Sequence, residues 1–123
     1  FIPENSSMND AWKLIVDDPS ACFLVGNGRK IVGLVTRQDV EESIGSGSGD
    51  QPIASRLIRE WPHVHADHSI EVALDRFRQS PGLLPVVSRG EASRVEGVIT
   101  LETILQFVQR NPQSAESIDA GGG

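Results

Sequence analysis

Apolar residues Met8, Ala11, Trp12 and Ile15 fall at i, i+3, i+4 and i+7, a spacing that predicts one buried helix face. The same spacing returns at Ile70, Ala73, Leu74 and Phe77. A serine placed as an N-cap introduces each helix, Ser7 and Ser69, and Asp10 completes a capping box in the first. A short apolar strand follows each, Cys22-Phe23-Leu24-Val25 and Leu84-Pro85-Val86-Val87. Both features recur at the same offset: Met8 to Ile70 and Cys22 to Leu84 are each 62 residues apart. Turn-forming segments come next, Gly26-Asn27-Gly28-Arg29 and Ser88-Arg89-Gly90-Glu91.

A second strand then enters in both halves, within IVGLVTRQDV (Ile31 to Val40) and VEGVITLETI (Val95 to Ile104). The offset from Ile31 to Val95 is 64, so the second turn carries two extra residues. Both strands are nearly continuous apolar runs, as strands covered on both faces are. Thr36 and Thr100 stand where each would cap a helix reaching about Ile44 and Val108.

Each half thus reads β-α-β-β-α, with a very short first strand at Ile2-Pro3 and at Val64-His65. The division is residues 1–44 for the first repeat, 45–52 for a linker, 53–110 for the second repeat and 111–123 for a tail. The linker (Gly45-Ser46-Gly47-Ser48-Gly49-Asp50) is flexible in composition, and the tail reads as disordered. A short helix is expected within Ile53 to Arg59, before Pro62. A unit of roughly 50 residues buries too little surface to be comfortable alone. The expected fold is therefore α+β, two repeats packed about a pseudo-two-fold axis.

The capped helix, the L-P-V-V strand and the junction Gly33-Leu34-Val35-Thr36-Arg37-Gln38-Asp39, all in tandem, resemble a pair of CBS domains, often called a Bateman module. The resemblance covers about residues 1–110 and implies an intramolecular pseudo-dimer with two clefts for adenosine nucleotides. A carboxylate suits the ribose diol, and exposed N–H groups at a helix start suit phosphate. Thr36 and Asp39 combine both features at one helix start, with Arg37 beside them to reach phosphate. By the family pattern, the base lies against Val64, His65, Ala66, Leu83, Leu84 and Pro85 of the other repeat. ATP, ADP or AMP are the implied ligands, with S-adenosylmethionine behind them.

The second copy departs from this pattern: Thr103 replaces the aspartate, Glu102 adds like charge, and the opposite wall (Ile2, Pro3, Ala21, Cys22, Phe23) carries bulky Phe23. Losing a charged hydrogen bond worth ~1.5–3 kcal/mol weakens binding about ten- to a hundredfold, so this cleft is expected to be weak or empty.

Charge narrows the range of partners. Eleven Lys and Arg against seventeen Asp and Glu give a net charge of −6, which disfavours nucleic acid. Only 5% of residues are aromatic, so aliphatic side chains must form the core. The single Cys22 excludes an intramolecular disulfide and reads as a buried thiol. No run approaches the ~20 apolar residues of a membrane-spanning helix. The chain opens at Phe1 without a methionine, as a piece of a longer polypeptide would.

His63, His65 and His68 form an H-x-H-x-x-H cluster. Residues on an extended segment alternate faces and no carboxylate completes a coordination set, so no metal is expected. Arg56, Arg59, Arg76 and Arg78 read as solvated faces, Trp12 as core, and Trp61 as an exposed anchor for a parent domain. No Ser-His-Asp frame, phosphate-binding loop or activated cysteine points to catalysis.

The resemblance implies a regulatory module that senses a ligand for a larger protein, and that acts as a homodimer. LLPVVSRGEASRVEGVITLETIL resembles the cytoplasmic tail of bacterial chloride channel/transporter proteins, which implies the cytoplasmic side of an inner-membrane parent. A ligand-free dimerisation module and a regulatory insert of a metabolic enzyme are the alternatives.

Overall fold

The computed structural model describes residues 1–110; the expected tail, 111–123, lies outside them. The elements run β1 (Ile2–Pro3), α1 (Met8–Ile15), β2 (Cys22–Asn27), β3 (Lys30–Thr36) and α2 (Arg37–Gly45). A one-turn 3-10 helix spans Ile53–Arg56, and α3 (Ile70–Arg78), β4 (Leu83–Val87), β5 (Val95–Thr100) and α4 (Leu101–Arg110) follow. The fold is α+β with the repeated order of elements that the periodicity predicts. Ser7 caps α1 in a full capping box with Asp10, and the Ser69 hydroxyl accepts from the Val72 amide at the start of α3.

β1 pairs parallel with β2, which pairs antiparallel with β3, while β4 and β5 form an antiparallel pair. The first strand of the second repeat does not form at length: Val64 makes one isolated parallel bridge to Val86. The ladder stops there because the Val87 carbonyl, the next acceptor along β4, lies 2.9 Å from Nδ1 of His65, while the chain turns at 65–68.

Three apolar clusters hold the chain. One packs Met8, Ala11 and Ile15 of α1 against Val25, Val35 and Val40 of the first repeat. A smaller one joins Val64, Ala73 and Leu84 in the second. The third crosses between repeats, with Cys22, Ile31 and Leu34 against Leu83, Val87 and Val95. Backbone bonds reinforce it: the Ile31 amide donates to the Ser93 carbonyl and the Val95 amide to Arg29, both at 2.8 Å. Trp61 packs half-buried against this cluster, so it is part of the interior seam and not the exposed anchor that its sequence context predicts.

The linker is another correction. Gly49 and Gln51 offer their carbonyls to the amides of Asn9 and Met8 at 2.8 and 2.9 Å. Those amides open α1 and have no partner within the helix, so the linker satisfies them. Gly49 is buried, and a Cβ there would meet the Asn9 side chain at 2.2 Å. Gly49 therefore serves close approach, Gly47 takes a positive φ of 81°, and the backbone bonds tether this stretch to α1.

Gly33 and Gly97 hold equivalent places in the two repeats but differ in surroundings. A Cβ on Gly33 would meet the Ile58 carbonyl oxygen at 2.9 Å, where Leu34 and Ile58 exchange backbone bonds of 2.7 and 3.0 Å. A Cβ on Gly97 would meet nothing within 4 Å. Gly33→Ala is expected to cost about 1–3 kcal/mol by overpacking, and Gly97→Ala to be neutral or slightly stabilising. Urea denaturation of the two variants checks this; equal effects would refute the close approach at Gly33.

Candidate functional site at the repeat junctions

The β3–α2 junction places Thr36 as the N-cap of α2, its hydroxyl accepting from the Asp39 amide at 3.1 Å. Asp39 stands in the first turn with its side chain partly exposed. Its carboxylate is engaged: Nη1 of Arg56, delivered by the 3-10 helix, lies 3.1 Å from Oδ1 of Asp39 and 3.7 Å from Oε2 of Glu42. Arg56, read from the sequence as a solvated cation, is thus the residue next to the candidate ribose contact. A carboxylate accepts several hydrogen bonds, so this pairing leaves chemistry for a diol.

Arg37 does not play the expected phosphate role in this arrangement. Its guanidinium donates to the carbonyls of Ile15, Asp18 and Ser20, at and just beyond the end of α1. It also lies 5.5 Å from the Trp12 ring centre and 5.8 Å from that of Phe23, with Glu41 at 3.7 Å. A cation beside the carbonyl end of a helix is favoured by its dipole. Arg37 therefore ties α2 to α1.

The expected base wall divides. The side chains of Val64, Leu84 and Pro85 are fully buried, and Leu83 belongs to the cluster between repeats. Burial leaves these four little surface for a base. His65 is half-buried and Ala66 exposed. Nδ1 of His65 lies 2.9 Å from the Val87 carbonyl. A carbonyl only accepts, so this bond places a proton on Nδ1 and leaves Nε2 outside it.

The corresponding junction of the second copy holds Thr100 and Thr103, whose hydroxyls are 3.2 Å apart. Here Phe23 does not close the opposite wall. A cavity of about 420 Å³ lies beside it, lined by Phe1, Ile2, Leu14, Cys22, Leu83, Val98 and Thr100 among others. The cavity is largely apolar, with Asp18 among its lining, and Thr103 offers no carboxylate for a diol. Burial pushes the Cys22 thiol up to about 11, so it stays protonated at neutral pH.

The three histidines also depart from expectation, because their rings gather instead of alternating. His63 and His65 are 5.5 Å apart between ring centres, and His65 and His68 are 5.1 Å apart. Residues two apart on an extended segment share a face, and a turn closed by the His68 amide on the His65 carbonyl (3.0 Å) folds His68 back. Among the described residues, no three His, Cys, Asp or Glu side chains are arranged to hold a metal.

Comparison with known proteins bears directly on this geometry. The CBS domain family matches twice, over residues 1–46 and 54–110. Staphylococcus aureus OpuCA is similar at 16% identity and a TM-score of 0.70, over 89% of this chain and 91% of that one. A putative acetoin utilization protein, AcuB of Vibrio cholerae, is 17% identical with a TM-score of 0.74, covering 94% and 87%. The CBS domain pair of protein MJ0100, solved in complex with 5′-methylthioadenosine and S-adenosyl-L-methionine, is 22% identical with a TM-score of 0.69, covering 88% and 87%. No curated protein matches. With both repeats matched and joined through a shared apolar cluster, the chain belongs to the CBS domain family as a tandem pair.

Proposed function

We propose that this pair is a regulatory, ligand-sensing module of a larger protein and that it takes an adenosine nucleotide at the Thr36–Asp39 junction. The observation that carries the reading is the partly exposed Asp39 carboxylate, held in the first turn of α2 beside the Thr36 cap. There a ribose diol would meet the carboxylate and a phosphate would meet the helix start. The adenosine compounds named with the MJ0100 pair support the ligand class. His65 and Ala66 are the wall residues whose side chains remain accessible. Binding would act by linkage: a ligand that prefers one arrangement of the repeats biases whatever domain is attached.

In this reading the parent is a bacterial chloride channel/transporter, with the pair on the cytoplasmic side and a second copy completing a homodimer. The exposed apolar side chains Leu14, Val98, Leu101 and Leu105 support a second copy, which would cover them. The segment upstream of Phe1 would identify the parent, and a bundle of membrane spans there would bear the reading out. The reading assigns no catalytic residue. A second reading, a dimerisation module without ligand, is favoured by the Arg56 ion pair that already occupies Asp39.

A thermal-shift series with ATP, ADP, AMP and S-adenosylmethionine separates the two. A ligand present at a hundred times its Kd should add about 2.7 kcal/mol to stability. A raised midpoint with at least one nucleotide is the expected result; an unchanged midpoint with all four would leave the dimerisation module standing.

A further inference from the structure

A second concave site lies within the second repeat, away from Thr36 and Asp39. It is a cavity of about 460 Å³ between the 61–68 segment, α3 and the β4–β5 turn, lined by Trp61, His63, His65, His68, Arg76 and Arg89 together with Pro62 and Gln79. None of these lining residues is acidic, although the chain carries a net charge of −6. Arg76 is fixed in place, because its Nη1 donates to the His63 carbonyl at 2.7 Å in a partly buried bond. Such anchoring removes the rotamer cost that an arginine otherwise meets on binding. Arg89 reaches the same cavity from the β4–β5 turn. Its Nε is shared between both oxygens of Asp67, at 3.0 and 3.1 Å, in an exposed pair worth little in water.

The imidazoles complete the picture. Nδ1 of His68 accepts from the His65 amide, and Nδ1 of His65 donates to Val87, so each ring has its Nε2 outside these backbone bonds. The His68 pKa is held below the usual histidine value, first by desolvation and then by the Arg76 and Arg89 charges. With two guanidiniums and no acidic side chain in its lining, the cavity offers cationic contacts, and Asp67, the partner of Arg89, stands just outside that lining. Two guanidiniums, with ring nitrogens able to donate, suit a compact oxyanion, and the Trp61 ring supplies an apolar side for whatever carries it.

We propose that this cavity binds the phosphate group of a small phosphomonoester, with Arg76 and Arg89 as the charged contacts and His63 and His68 as neighbouring donors. The site shares His65 with the expected base wall, but its charged contacts lie outside the nucleotide junction and the proposal does not rest on the nucleotide reading.

Titrating the protein with inorganic phosphate and with phenyl phosphate, at low ionic strength and against a chloride control, tests this. The ring Hε1 resonances of His63, His65 and His68 are the readout. Saturable shifts with phosphate, tighter with phenyl phosphate and not reproduced by chloride, are expected. Arg89→Gln, at an exposed position, should weaken binding about tenfold with the fold intact, and Arg76→Gln at least as much where it folds. Asp39→Ala should leave the phosphate titration unchanged. Unsaturable shifts, equal response to chloride, or unaltered affinity in Arg89→Gln would overturn the site, whatever happens at the nucleotide junction.

Discussion

Leu34→Ala is expected to lower the unfolding free energy by about 2–5 kcal/mol, with both repeats unfolding in one earlier transition. Leu34 is fully buried, on β3, in the cluster that joins Cys22 and Ile31 to Leu83, Val87 and Val95. Truncation removes apolar contacts and leaves a cavity that neighbours on two different repeats must collapse to fill. A small domain has only about 5–15 kcal/mol in total, so this is a large fraction. Urea denaturation followed separately by Trp12 and by Trp61, using variants that keep one tryptophan each, reports the first-repeat core and the shared cluster separately. Val16→Ala, at a side chain 46% exposed and outside the face assigned to a second copy, serves as the control and should stay within about 0.5 kcal/mol. A loss under about 1 kcal/mol for Leu34→Ala, or separate transitions for the two tryptophans, would contradict a shared core.

The features of this fold that were legible in the sequence are those that side chains encode. The amphipathic spacing of Met8, Ala11 and Ile15, the serine caps and the apolar strands all carry side-chain signatures, and the structure forms each of them. β5 departs in burial: read as covered on both faces, it buries only Val95 and leaves Val98 exposed. What was not legible depends on backbone groups meeting over distance. The linker holds α1 through the carbonyls of Gly49 and Gln51, and a carbonyl is the same in every residue. The failed first strand of the second repeat is the reverse case. Val64 and His65 have a strand-like pattern, but the His65 side chain takes the Val87 carbonyl that the next backbone amide would need. Trp61 precedes a proline in irregular chain, which reads as exposed; its partial burial comes from the cluster that both repeats build.

The candidate site was half legible for the same reason. Thr36 and Asp39 are three residues apart, and the hydroxyl-to-amide bond between them follows from local helix geometry. Arg37 lies next to them in sequence, but its long side chain turns to α1, where several carbonyls outcompete solvent. Arg56 is distant in sequence and arrives only because the tethered linker brings the 3-10 helix alongside α2. No local pattern marks it. The second cleft, by contrast, was placed by the repeat: its expected wall residues Ile2, Cys22 and Phe23 line a cavity with Thr100. Residue volume alone did not show that Phe23 borders the space without filling it.

Asp39→Ala is expected to abolish the stabilisation by adenosine nucleotides while changing the ligand-free protein little. A hydrogen bond to a carboxylate is worth ~1.5–3 kcal/mol, so losing it should raise Kd about ten- to a hundredfold. The Asp39–Arg56 pair is partly exposed on both sides and contributes about 0–1 kcal/mol, which bounds the stability change. That same bound makes Arg56 a weak competitor for the carboxylate, not a lock. Arg56→Gln should therefore tighten binding of adenosine, which lacks a phosphate, by no more than about fivefold, the ratio equivalent to 1 kcal/mol. Thr103→Ala should leave nucleotide binding untouched, because Thr103 bonds to Thr100 and presents no carboxylate. Calorimetric titration of the three variants separates these effects. Binding retained in Asp39→Ala but lost in Thr103→Ala would move the ligand to the apolar cleft beside Phe23. A large loss of adenosine affinity in Arg56→Gln would make Arg56 a ligand contact and not a competitor.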